Sequence, residues 1–96
     1  MPKGYWIVHI KVTDPETYRR YADQAPAIVT RLGGAYNVDA GRSDSVEGDA
    51  SLDRHVVVEF PSYDAAVAAF RSEAYQAVVP LRQASAECFF TLAEGA

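Results

Sequence analysis

The chain has one cysteine, Cys88, so no intrachain disulfide can brace it and packing must supply its stability. It has no apolar run near the roughly 20 residues of a membrane span. The opening "MPKGYW" lacks the apolar core and small-residue cleavage site of a secretory signal. Basic charge is also scarce, with nine Lys and Arg against 13 Asp and Glu. Nucleic-acid binding replaces phosphate counterions with clustered cations, and these nine lie scattered among acids. We therefore expect no nucleic-acid partner, no membrane association and a cytoplasmic location, with Cys88 a buried, inert thiol among the apolar neighbours of "AECFFTL". A GxGxxG phosphate loop and a nucleophile elbow are missing too, because Gly33-Gly34 is a helix stop and Ser43, Ser45 and Ser51 fall in a polar loop.

The 96 residues suffice for one compact domain, 1–96, with a small core. Tyr5 to Val12, "YWIVHIKV", is β-branched and aromatic, and reads as a strand. It runs into a helix start: Asp14 as cap, Pro15 at the first helical position, and Glu16 favourable to the dipole. Tyr18, Tyr21, Ala22, Ala25, Ile28, Val29 and Leu32 then recur at three- and four-residue spacing, up to the stop at Gly33-Gly34. Pro26 lies inside this helix, where a kink is expected.

Ala35 to Ala40 reads as a weaker strand. Gly41 to Asp53 reads as a polar hairpin excursion that Val46 could lengthen, and "RHVVVEF", Arg54 to Phe60, as a clear strand. Ser62 caps a second helix; Ser72 recaps a short one, "EAYQAVVPLRQ", which Pro80 kinks or terminates. Glu87 to Ala93 closes the chain as a strand. The order β-α-β-β-α-β is a ferredoxin-like α+β unit with a four-stranded antiparallel sheet and both helices on one face.

Alternation then assigns faces. Trp6, Val8, Ile10 and Val12 share one side of the first strand, and Tyr5, Ile7, His9 and Lys11 the other. Val56, Val58 and Phe60 oppose His55, Val57 and Glu59 in the third. One face is wholly apolar and the other mixed but still largely apolar, more than a lone domain leaves bare. A homodimer that stacks two sheets is the expected remedy.

Dimeric α/β-barrels are built this way, and several segments point to a family. "GYWIVHIKVTDPETYRRYADQAP", "EGD" and "VVVEFPSYDAAVAAFRSEAYQAVVPLRQASAE" resemble the short bacterial domain-of-unknown-function family numbered thirteen-thirty. The most specific pieces are "EFPS", Glu59 to Ser62, and "SEAYQ", Ser72 to Gln76. The resemblance implies the dimeric α/β-barrel fold, without an agreed activity. Barrels of this kind include cofactor-free monooxygenases, haem-degrading enzymes, small isomerases and proteins of no known chemistry. The chain departs from the family pattern at Asp39-Ala40, where an Arg-Gly pair is usual, at Ser51 for tryptophan and at Phe70 for tyrosine.

Three groups of side chains are candidates for a site. His9 and Glu59 share the mixed face on neighbouring central strands, with His55 on the same side. A carboxylate beside an imidazole could form a proton-transfer pair, or equally a satisfied and inert buried pair. Two histidines and a glutamate are also possible metal ligands, but no local spacing supports a metal and none is expected. Tyr18, Tyr21, Tyr63 and Tyr75 form an aromatic group, joined by Trp6 or Tyr5; this is either core or the lining of a pocket for a planar ligand. Arg82 offsets a helix dipole or clamps a carboxylate. The expectation is a small, partly aromatic metabolite bound by Tyr21, His55, Tyr75 and Arg82, with no cofactor. The alternatives are a cofactor-independent monooxygenase- or isomerase-like enzyme using His9 and Glu59, and a purely structural or regulatory dimer.

Overall fold

A computed structural model describes residues 2–96. Four strands, β1 (Gly4–Val12), β2 (Ala35–Asp39), β3 (Arg54–Phe60) and β4 (Ala86–Glu94), form one antiparallel sheet in the order β2-β3-β1-β4. Helices α1 (Pro15–Arg31), α2 (Tyr63–Arg71), α3 (Glu73–Gln76) and α4 (Val79–Ser85) complete it. The fold is the ferredoxin-like α+β of the dimeric α/β-barrels. No helix among the described residues is long and apolar enough to cross a membrane.

Local chemistry sets the helix ends. The Asp14 carboxylate accepts from the Thr17 backbone N–H at 3.3 Å and from the Thr17 hydroxyl at 2.7 Å. These bonds hold the carboxyl below its ordinary pKa. Helix α1 continues through Pro26 to Arg31 with Leu32 as its C-cap, and Gly33 then turns the chain with φ of 95°, a conformation glycine adopts at no steric cost. At Gly34 a Cβ would come within 2.6 Å of Val29 and 2.9 Å of Val58, so a bare backbone lets α1 close onto the sheet. Ser72 joins two helices: its hydroxyl donates to Ala69 O at 2.7 Å and accepts from Tyr75 N–H at 3.2 Å.

Two expectations change. "EAYQAVVPLRQ" forms two short helices rather than one, and Pro80 falls in the first turn of α4, where its missing N–H costs nothing. Pro80 thus helps start a helix instead of ending one. Within 41–53 no strand forms, and Val46 stands 81% exposed.

All four helices lie on the side of Trp6, Val8, Ile10, Val58 and Phe60, which are buried. Trp6 is the hub. Its ring packs on Phe60, Phe70, Tyr75 and Phe90 with centroids 4.7–6.1 Å apart, and its indole N–H donates to Ala66 O at 2.8 Å. Burying one such side chain is worth about 4–6 kcal/mol at ~25 cal/mol per Å². The thinnest dimension, 17 Å, is that of one sheet and one helix layer. The sheet's second face is therefore bare in the protomer. It presents Ile7, His9, Val57 and Thr91, with Phe89 65% exposed and Val38 44% exposed.

Candidate functional site

The candidate residues divide between the two faces. On the bare face, strand register sets His9 opposite His55, and their Nδ1 atoms lie 2.9 Å apart with the rings edge to face. Register also sets Glu59 opposite Tyr5. Glu59 lies four positions along β3 from His55, about 13 Å at the usual rise. The expected His9–Glu59 pair therefore does not form. Glu59 instead accepts from the Asn37 amide at 3.3 Å and sits 3.9 Å from the Lys3 ammonium. The β2 irregularity between Tyr36 and Val38 turns Asn37 toward it.

Tyr21, Tyr75 and Arg82 lie on the opposite, helix-covered face. There a pocket of about 120 Å³, partly open to solvent, lies between α1 and the sheet. Its floor is Trp6 and Val8 of β1 with Val56 and Val58 of β3, and its roof is Tyr18, Tyr21, Ala22 and Ala25 of α1. Tyr36, Asp39, Arg54 and Arg82 supply the remaining polar wall. Tyr75 stands behind Tyr21, their hydroxyls 2.6 Å apart. His55 does not line this cavity.

Burial controls the chemistry of these groups. It pushes the Tyr21 phenol far above its ordinary range, with the neighbouring Tyr75 adding to the effect. Burial likewise raises Tyr75, although the Tyr21 hydrogen bond and the Arg82 charge oppose it. Tyr36 is raised by burial and then by the Asp39 carboxylate. All three hydroxyls thus stay protonated at neutral pH and serve as hydrogen-bonding groups, not as bases. Arg82 is only 6% exposed, and its Nε has no hydrogen-bond partner. The Arg54 Nε is equally unpartnered. Each guanidinium rests on an aromatic face, Arg82 on Phe90 at 4.9 Å and Arg54 on Tyr18 at 5.2 Å. Among the described residues neither arginine has a carboxylate within ion-pair distance.

Arg54, Tyr36 and Asp39 were not among the expected site residues. Arg54 did leave a signal. It shares strand parity with Val56, Val58 and Phe60, so it is a charge on the side that must be covered.

The ferredoxin-like sheet with its helices on one face has the fold of the dimeric α/β-barrel class. Within that class the chain belongs to the family described as domain of unknown function (DUF1330), whose pattern matches residues 3–96. Among solved structures it is similar to the RPA0582 protein of unknown function from Rhodopseudomonas palustris, at 20% identity and a TM-score of 0.75, covering 99% of this chain and 83% of that one. It is also similar to SnoaB, a cofactor-independent oxygenase from Streptomyces nogalater, at 13% identity and a TM-score of 0.69, covering 100% and 95%. A third, a conserved protein of unknown function and possible oxidoreductase from Bacteroides thetaiotaomicron, shares 14% identity with a TM-score of 0.64 over 97% of each chain. No curated protein matches.

Proposed function

We propose that this chain binds a small, partly aromatic metabolite in the cavity between α1 and the sheet, and that it works as a homodimer joined through the bare sheet face. The cavity carries this reading. In a layer that is otherwise closely packed, it leaves a space walled by rings and aliphatic groups with a few convergent polar groups, the usual make-up of a ligand site. Tyr21 and Arg82 are the binding residues, with Tyr75 holding the Tyr21 hydroxyl in place. The exposed Phe89 and Val38 support the homodimer, and the lone thiol supports a cytoplasmic setting.

A panel of single-ring aromatic compounds, screened by thermal unfolding and amide chemical shifts, tests the site. A ligand present at 100 times its Kd adds about 2.7 kcal/mol to stability, so a binder raises Tm measurably. Shifts should centre on Tyr21, Ala22 and Val56. A panel that moves neither Tm nor these amides overturns the reading.

The second reading is cofactor-independent oxygenase-like chemistry in the same cavity. The Tyr21–Tyr75 hydroxyl pair favours it, because a held phenol O–H can donate to an oxyanion that develops on a bound ligand. SnoaB, which shares the fold, is described as a cofactor-independent oxygenase. In such chemistry the ligand itself must supply the electrons that reduce oxygen. Ligand-dependent oxygen uptake that Tyr21→Phe abolishes would establish this reading, and uptake at the protein-free rate would remove it.

A further inference from the structure

We infer that the ligand is a single-ring aromatic monocarboxylate, with its carboxylate on Arg82 and Arg54. This rests on the reading of the cavity as a ligand site and specifies what enters it. Three observations carry it.

The first is a buried cation with no anionic partner. Arg82 is more than nine-tenths buried, lines the cavity and leaves its Nε without a partner. Arg54, half-buried on β3, also lines the cavity with its Nε unpartnered. A buried guanidinium without an anion pays a desolvation cost that a carboxylate offsets through charge-assisted hydrogen bonds. Both arginines line the same cavity: Arg54 enters from β3, where it pairs with Ile10, and Arg82 enters from α4, stacked on Phe90, whose partner on β1 is Val8.

The second is the charge count. Two arginines and Asp39 are the charged groups in the wall, which leaves one net positive charge. A monoanion balances it and a dianion does not. Asp39, exposed at the rim and paired with Val56 of β3, can accept from a hydroxyl or amine carried by the ring.

The third is size. The cavity, about 120 Å³, is slightly smaller than the roughly 150 Å³ engineered cavity that admits benzene. One six-membered ring fits between Val8, Val56 and Tyr21, with its carboxylate toward the arginines.

Calorimetric titration of the full chain with benzoate, benzamide and acetate tests the inference. Benzoate and benzamide match in shape and differ in charge, whereas acetate keeps the charge and drops the ring. We expect benzoate to bind at least about tenfold more tightly than either, since a charge-assisted hydrogen bond is worth ~1.5–3 kcal/mol. Arg82→Met should abolish the preference for benzoate over benzamide. Arg54→Gln, at a less buried position, should reduce it even if Arg82→Met does not fold. Equal binding of benzoate and benzamide overturns the anion assignment while the cavity remains a ligand site. Equal binding of acetate and benzoate overturns the ring assignment. Failure of all three to bind, together with a silent aromatic panel, removes the ligand site itself.

Discussion

The two faces of the sheet are built by the same alternation, and each brings together a pair of like side chains. On the covered face the Tyr21 and Tyr75 hydroxyls meet at 2.6 Å; on the bare face the His9 and His55 rings meet at 2.9 Å. Cover makes the difference. Burial holds the tyrosine pair protonated through the neutral range, so it acts as a fixed hydrogen-bonding unit. Because the folded phenol pKa values lie above the ordinary value near 10, their contribution to stability is complete below about pH 10 and is lost only as pH rises through the folded values. The histidine pair stands on an exposed surface, open to solvent and to a partner molecule.

The largest expected contrast compares adjacent residues. Trp6 is the 2% exposed hub of the covered face, and Ile7 points to the bare one. Trp6→Ala should cost about 3–5 kcal/mol, as large aromatic truncations in a core do. Ile7→Ala, measured by urea unfolding at a concentration where the protomer is monomeric, should cost less than about 1 kcal/mol. Comparable costs would show that the bare face is covered within the protomer itself.

A second test targets the partner. Phe89 is the most exposed residue among the sheet's large apolar side chains. Phe89→Asp places a charge where the two sheets would meet. Losing a central aromatic contact costs on the order of 2–4 kcal/mol, so the dimer Kd should rise roughly 30- to 1000-fold with unchanged far-UV circular dichroism. Sedimentation of wild type and variant at equal mass would place the interface elsewhere.

The same contrast shows how far the sequence can be read. Element order was legible because each start and stop carries its own local chemistry: Asp14 and Pro15, Gly33-Gly34, Ser62 and Ser72. Faces were legible from period-two alternation, which places His9, His55 and Glu59 together without saying how far apart they lie. Distance along a strand needs register, and β1 meets β3 only after α1 and β2 intervene. No short turn fixes that offset, so the His9–Glu59 pairing could not be checked from sequence. The meeting of Tyr21 and Tyr75 is also non-local, set by how α1 docks against α3. Arg54 is different, because its parity was visible and only its meaning went unread.

The smallest effect sharpens the contrast most finely. The His9–His55 bond requires one ring to donate from Nδ1 and the other to accept there. His9→Gln keeps a hydrogen-bonding side chain at this exposed position, so protomer stability at neutral pH should stay within ~0.5 kcal/mol, as for other surface substitutions. Tyr21→Phe removes the hydroxyl that meets Tyr75 on the covered face and should cost about 1 kcal/mol or more, because a buried hydroxyl then loses its partner. Urea unfolding of the two variants checks the order, and a cost in His9→Gln equal to that in Tyr21→Phe would show that cover does not separate the two pairs.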